Sequence, residues 1–345
     1  MKHKLTALAL ALVLALGITG CGQKAPQLYS SSWFDLFDTV TVVQGYATSQ
    51  QEWDRQMDAL HKDLLEYHQL YDIYNTYEGI ENLCSINAKA GQGPVQADPR
   101  ILELLQLALE LYQKTDGKLN VAMGSVLGLW HDAREQAQLG AAKPELPAQE
   151  ALEAAAQHQD PAGVVLDLDA GTIALTDPKL QLDVGSIGKG YAVEMATQAA
   201  EKRGLTSALL NVGGNLRAIG TKPNGAQWAA GIQDPDDEHS YRYAVRLQDM
   251  ALVTSGDYQR FFEVDGVRVH HLIDPDTLMP AAYARSVTVL APDSGLADGL
   301  STALFCTDPQ TGLALVEQLE DVEALWILPD GQNLESIGFS SHLRQ

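Results

Sequence analysis

The chain is short of positive charge, of cysteine and of any standard nucleotide-binding or nucleophile signature. Its 23 basic side chains stand against 45 acidic ones, a net charge of −22. A nucleic-acid partner needs a basic footprint, so that partner class is excluded. The same deficit means that an anionic ligand gains nothing from the overall field. A phosphate would have to be held by local donors and a cation. Three cysteines occur, Cys21, Cys84 and Cys306. They are too few for a disulfide framework and fit no zinc spacing. Cys84 and Cys306 read as buried free thiols, with a pairing between them left open. No repeat of fixed period is present, no G-x-G-x-x-G opens a helix, and no G-x-S-x-G surrounds a serine.

The N-terminus speaks to location. Lys2 and Lys4 precede an apolar run from Leu5 to Ile18, and Ile18-Thr-Gly-Cys21 puts small residues directly before a cysteine. That is the layout of a bacterial lipoprotein signal. It implies a signal peptide over 1–20, Cys21 as the lipidated first residue of the mature chain, and a polar tether over 21–32. The alternatives are an ordinary signal peptide or a spanning helix. The run is short for a span, and no stop-transfer flank follows it. Several acyl chains on one cysteine would anchor the protein, since one chain binds only marginally. The expected place is therefore the cell envelope, lipid-anchored and outside the cytoplasm. Residues 33–345 suffice for one large unit with a real core.

The pattern within that unit is α+β. From Trp53 the apolar positions Met57, Leu60, Leu64, Tyr67 and Tyr71 follow at spacings of four, three, four, three and four, an amphipathic helix. Asp98-Pro99 supplies an N-cap and a first-turn proline for a helix ending near Lys114. Residues 131–159, rich in Ala, Gln and Glu, read as a surface excursion with one short helix. Strands are expected at 39–43, 164–168, 172–175, 209–212, 228–232, 251–254, 267–273, 286–290 and 324–328. Helices are expected at 191–204, 295–305 and from Pro309. Strand pairs interleaved with helices suggest mixed sheets packed with helices rather than a doubly wound sheet.

Several short stretches carry chemistry. Asp183-Val-Gly-Ser-Ile-Gly-Lys-Gly190 ends an apolar strand, surrounds Lys189 with glycines and leads into an alanine-rich helix. Such a turn offers backbone N–H groups and a positive helix end to an anion. It does not match the Walker pattern, because Tyr191 stands where Ser or Thr should follow the lysine; it could also be a plain glycine-rich turn. Asp298 and Thr302 lie four apart at a helix start, so both oxygens project from one face. A carboxylate plus a hydroxyl is the sparse hard-oxygen site that Mg²⁺ accepts. The alternative is capping by Asp298 and a core place for Thr302. His271 ends a strand with a pKa suited to proton transfer, or serves structurally. His270 should face the opposite way. A nucleophilic role for Ser255 in Thr254-Ser-Gly-Asp257 is the weakest reading.

Taken in order, these motifs resemble the ApbE family of FAD:protein FMN transferases, often lipoproteins. The order is Asp183-Val-Gly-Ser-Ile-Gly-Lys-Gly-Tyr-Ala-Val193, Asn211-Val-Gly-Gly-Asn215, Thr254-Ser-Gly-Asp257, His271-Leu-Ile-Asp-Pro275 and Ala297-Asp-Gly-Leu-Ser-Thr302. Upstream, Phe37-Asp-Thr39, Leu70-Tyr-Asp-Ile-Tyr74 ahead of Ile86-Asn87, and Thr115-Asp-Gly-Lys-Leu-Asn-Val121 running on to Leu129-Trp130 are similar to further family segments. The resemblance covers nearly all of the chain after the tether. It implies an ApbE-like, T-fold-related fold over 33–345. It further implies Mg²⁺ held by Asp298, Thr302 and the Ser186 carbonyl, and FAD contacted by Asp183 and Lys189. Phe37 would belong to the cofactor site, Tyr74 would flank the flavin, and Leu119, Asn120 and Val121 would line its pocket. His271 would be the base, with Asp298 its catalytic companion through the metal. The implied reaction moves the FMN half of FAD onto a Ser or Thr of a partner and releases AMP. Partners in this family are flavin-carrying subunits of membrane electron-transport complexes. Phe37-Asp38 departs from the usual Met-Gly, Asn120 from an aspartate, Ser186 and Gly188 from the common glycine and alanine, and Leu278-Met279 from a glycine. A FAD-binding or FAD-hydrolysing protein, or a non-enzymatic binding lipoprotein, are the alternatives.

Overall fold

A computed structural model describes residues 25–140 and 144–344, the side chain of Glu238 excepted. The signal segment 1–20, Cys21 and the first tether positions lie outside these residues. Among the described residues no helix is long and apolar enough to cross a membrane.

The chain opens with a hairpin of β1 (Gln27–Leu36) and β2 (Thr39–Ala47), followed by α1 (Gln50–Tyr71). The tether expected over 21–32 is thus shorter than the sequence suggests. Tyr29, Ser31 and Trp33 alternate toward the helix: Trp53 Nε1 donates to Ser31 Oγ at 2.9 Å, and the Tyr29 ring stacks on Trp53. A serine-rich stretch reads as polar linker, yet every second residue packs. Helix α1 buries Trp53, Met57, Leu60, Leu64 and Tyr71, the face that its spacing marks. Each fully buried leucine there is worth roughly 1.5–3 kcal/mol of removed apolar surface. Next come α2 (Leu83–Asn87), β3 (Val95–Gln96) and α3 (Pro99–Lys114), whose start is fixed by Asp98 Oδ1 accepting from Arg100 N at 2.9 Å.

Residues 131–159 hold more order than expected. Helices α4 (Gly124–Gln138) and α5 (Gln149–Ala156) occupy them, and Val126, Trp130 and Leu152 are buried in a satellite cluster. Strands β4 (Val164–Asp167) and β5 (Thr172–Leu175) join β3 in a small sheet. Helix α6 (Gly188–Lys202) begins three residues ahead of Tyr191, so the glycine–lysine turn is itself the first helical turn. Then follow β6 (Ala208–Val212), β7 (Asn215–Ile219), β8 (Trp228–Asp234), β9 (Asp237–Leu247), β10 (Ala251–Gly256), β11 (Phe261–Val264) and β12 (Val267–His270). The chain closes with β13 (Ser286–Ala291), α7 (Ser294–Phe305), α8 (Pro309–Val316), β14 (Glu323–Ile327) and β15 (Asn333–Glu335).

The class is α+β, with every described strand pairing antiparallel. The main sheet has eight strands in the order β1-β2-β6-β7-β10-β13-β14-β15. Helices α1, α6 and α7 cover one face, where Val43, Leu210 and Val253 meet Leu60, Ala196 and Leu300 in two apolar clusters. The other face carries the β8–β9 hairpin, whose Trp228, Ala230 and Ile232 pack over Ala218, Leu252 and Leu290. Two turns meet at the helix-covered end of the sheet. Phe37 and Asp38 have φ of 52° and 51°, and Gly213 and Gly214 of 56° and 92°, the double positive φ of hairpin turns. Only a glycine fits at 213, since a Cβ there would stand 2.5 Å from Thr39 Oγ1.

Candidate active site

A cleft of about 630 Å³ opens between those two turns, the start of α6, the second turn of α7 and one face of α4. Two buried helices cross at its base. A Cβ on Gly190 would lie 2.3 Å from Ser294 O and 2.4 Å from Asp298 Cβ, so the glycine lets α6 touch α7. The contact is chemical as well as steric, because Gly190 N donates to Asp298 Oδ2 at 2.8 Å and Asn215 Nδ2 to the same oxygen at 3.2 Å. Capping of α7 falls to Asp293, whose Oδ1 accepts from Leu296 N at 2.8 Å. Asp298 is therefore not the helix cap. It is 4% exposed, and burial raises its pKa against the pull of Lys189, the Gly190 N–H and Asn215.

Thr302 completes the cluster. Its Oγ1 lies 3.5 Å from Ser186 O and 3.4 Å from Ser255 Oγ. The three groups expected to hold a metal thus converge from one helix and the turn that leads into another. A buried carboxylate with no ion pair among the described residues, one hydroxyl and one carbonyl form a hard-oxygen set, which suits Mg²⁺ and not a soft metal. Ser255 Oγ meets Ser301 Oγ at 2.9 Å, and no imidazole activates it.

Around the oxygen cluster the cleft lining carries cations, against the sign of the whole molecule. Lys189, Arg134 and Arg260 line it together with Asp183. Burial, with the Arg260 charge next, pushes the Arg134 pKa down, so the two guanidiniums lie within electrostatic reach of each other. Asp183 Oδ1 accepts from Gly185 N at 2.8 Å, and burial raises its pKa while His131, Arg134 and Arg260 oppose that rise. Lys118 also lines the cleft, but Asp274 at 2.8 Å and Asp276 at 2.7 Å already neutralise it. Lys189 and the two arginines offer charge-assisted donors of the kind a phosphate group accepts from.

His271 sits on the rim, one residue past β12. Its Nδ1 lies 3.2 Å from Arg260 O, which makes Nδ1 the protonated nitrogen and leaves Nε2 as the acceptor. Burial, aided by the Arg260 charge, lowers its pKa to about 3, so the ring is neutral near physiological pH. His270 also borders the cleft, because strand alternation ends with it. It cannot act as a base: Ala281 O and Leu272 N engage its two ring nitrogens at 3.0 and 3.2 Å.

The expected flavin side is met in part. Tyr74 lines the cleft, 56% exposed, and stacks on His131 with ring centroids 4.6 Å apart. Asn120 lines it too, with its amide spent on Gln159 O and Ala122 N. Leu119 and Val121 do not, being 1% and 2% exposed within the core. Alternation along Leu119-Asn-Val121 turns only the middle side chain outward. Phe37 borders an adjoining cavity of about 200 Å³, shared with Tyr74 and Lys189, and stands edge-on to His68. Its positive φ swings the ring out of the main cleft and onto the core.

His131, Arg134 and Arg260 were not anticipated. A signal existed for the first two. Met123, Leu127, Trp130, His131 and Arg134 recur at helical spacing and form the face of α4 that lines the cleft. Reading 131–159 as an excursion hid it. Cys84 and Cys306 are both free thiols.

The chain matches the model of the ApbE family over residues 37–326. It is 35% identical over 277 residues to the FAD:protein FMN transferase of Treponema pallidum, covering 76% of this chain and 75% of that one. To the Vibrio cholerae FAD:protein FMN transferase it is 30% identical over 327 residues, covering 92% and 91%. Its fold is similar to the crystal structure of the ApbE protein of Thermotoga maritima, with a TM-score of 0.81 at 28% identity, over 92% of this chain and 100% of that one. The flavin transferase ApbE from Vibrio cholerae follows at 0.78 and 25%, with the same coverage. A family match over most of the chain, with relatives of 35% and 30% identity that it covers over most of their length, shows that this chain belongs to the ApbE family.

Proposed function

We propose that this chain transfers the FMN half of FAD to a Ser or Thr hydroxyl of a target protein and releases AMP. The observation that carries this reading is the convergence of Asp298, Thr302 and Ser186 O in a cleft that Lys189, Arg134 and Arg260 also line. The relatives at 35% and 30% identity are named for the same transfer.

Mg²⁺ held by Asp298, Thr302 and the Ser186 carbonyl would neutralise the diphosphate and polarise the phosphorus under attack. Lys189 and the two arginines hold the remaining phosphate oxygens, and Tyr74 with His131 offers a flat surface to a ring. The acceptor oxygen bonds to the phosphorus on the riboflavin side, the bridging P–O bond breaks, and AMP leaves. Nε2 of His271 takes the acceptor proton, its orientation fixed by the Nδ1–H donated to Arg260 O. Arg260 and Arg134 help to hold that imidazole far below its usual basicity. A diphosphate between them offsets their field, so substrate binding raises the basicity of His271 when the proton must move. Base catalysis of this type contributes about 10²–10⁴-fold.

The lipoprotein signal supports the rest of the reading: an envelope enzyme, anchored by acylated Cys21, that serves a flavin-carrying subunit of a membrane electron-transport complex. The test incubates the chain lacking residues 1–24 with FAD, Mg²⁺ and such a subunit. A fluorescent acceptor band on a denaturing gel, lost in Asp298→Ala with the fold retained, is the expected result. FMN and AMP without that band would mean hydrolysis instead, and full activity of Asp298→Ala at limiting Mg²⁺ would overturn the metal assignment.

A further inference from the structure

The sheet face away from α6 and α7 carries a second groove, of about 550 Å³, which shares part of its lining with the cleft. Thr254 and Gln259 line both spaces. Gln259 directly precedes Arg260, the residue whose carbonyl orients His271. The groove therefore ends one residue from the carbonyl that orients His271.

One wall is the edge of a strand. Ala229, Ala230 and Gly231 of β8 all border the groove, although alternate side chains point to opposite faces. With two alanines and a glycine in succession, the backbone of this strand is itself part of the wall. Among the described residues β8 pairs with β9 alone, so that edge has no partner strand. An open edge of this kind is a template for an added strand. Across Gly231 lies the ring of Tyr241, which is 74% exposed and fills the space a Cβ would need. Exposed tyrosines beside a groove are the residue type that anchors protein partners.

The lining chemistry narrows the occupant. No charged side chain borders the groove, in a chain of net charge −22. The amides of Gln44, Asn211 and Gln259 stand along it instead. The Tyr258 hydroxyl beside it is buried with no hydrogen-bond partner among the described residues. Uncharged walls with amide groups suit a peptide backbone and small neutral side chains, whereas a charged residue would lose water and gain no counter-ion.

We propose that this groove seats the acceptor polypeptide. An extended, uncharged stretch of the target pairs with the open edge of β8 and passes its Ser or Thr hydroxyl by Thr254 and Gln259 to His271. This rests on the transfer reading above.

The test uses the full chain and, as probe, total protein from source cells deleted for it, incubated with FAD and Mg²⁺ and read as in-gel flavin fluorescence. Tyr241→Asp and Gln44→Lys put opposite charges at two exposed groove positions, which separates groove blockage from long-range effects on anionic FAD. Both variants should lower the labelling rate by roughly tenfold or more, the loss of one good anchor. FAD affinity, followed by flavin fluorescence, should stay at the wild-type value. Labelling at the wild-type rate in both variants overturns the groove while leaving transfer intact. A parallel fall in FAD affinity also overturns it, by making the groove part of the FAD site. If the wild-type chain labels nothing, the transfer reading falls and the docking proposal falls with it.

Discussion

Gly190 has no room for a side chain, because the Ser294 backbone and the Asp298 side chain occupy the space on its Cα. Gly190→Ala should push α6 off α7, lower stability by about 1–3 kcal/mol in chemical denaturation and displace Asp298. Loss of transfer should exceed what the stability change explains. His271 makes a different prediction. Its replacement by Asn should lower the transfer rate by about 10²-fold or more while FAD affinity holds. A collapse of affinity with the rate merely halved would make His271 a binding residue. Its acid behaviour follows from burial: the folded-state pKa of about 3 lies below the ordinary 6.5. Between those values the unfolded chain binds the extra proton, so the contribution is fully present above 6.5 and lost as pH falls toward 3. His270, whose pKa burial also lowers, adds to the same trend. Denaturation midpoints measured across this window should fall less steeply in His271→Asn than in the parent chain.

At the scale of elements, the start of α7 hangs on a buried ion pair. Arg217 Nε of β7 donates to Glu194 Oε2 of α6 at 2.9 Å, and Ser294 N donates to the same oxygen at 3.0 Å. Both partners are nearly inaccessible, with side chains 7% and 3% exposed. Removing one partner strands the other charge, so Glu194→Ala should cost about 3–5 kcal/mol by denaturant titration. Replacing both with Met should restore most of that loss, which a purely steric role for Glu194 would not allow. Helix α4 shows why part of the site was hidden. Its cleft-facing residues follow a clean helical period, but the Ala, Gln and Glu between them resemble a solvated excursion. Strands β7, β9, β11 and β15 were missed for a related reason. They are short or polar, and cross-strand pairing rather than intrinsic pattern holds them. By contrast, α1 and α3 were legible to within a turn, since apolar spacing and the Asp98 cap act locally.

For the whole molecule, charge sets the conditions under which the site binds. With a net charge of −22, the cationic patch of Lys189, Arg134 and Arg260 works against the global field. Neutralising it should therefore weaken FAD binding more than removal of single surface lysines elsewhere, a comparison open to fluorescence titration. Cys21→Ser should release the protein from membranes without changing transfer by the released enzyme, read by fractionation followed by the gel assay. Retention on membranes would sink the lipid-anchor reading.

The sequence by itself determined the α+β class, the amphipathic helices, the Asp298–Thr302 pair and its helical face, because each depends on neighbours within a turn or two along the chain. Only the tertiary structure decided that Ser186 O, in the turn before α6, approaches Thr302 of α7, that Asp293 caps α7 and frees Asp298, and that His131, Arg134 and Arg260 line the cleft. Those outcomes rest on contacts between segments far apart in the chain. Close helix crossing at a glycine and strand pairing fix such contacts, and no local period records them.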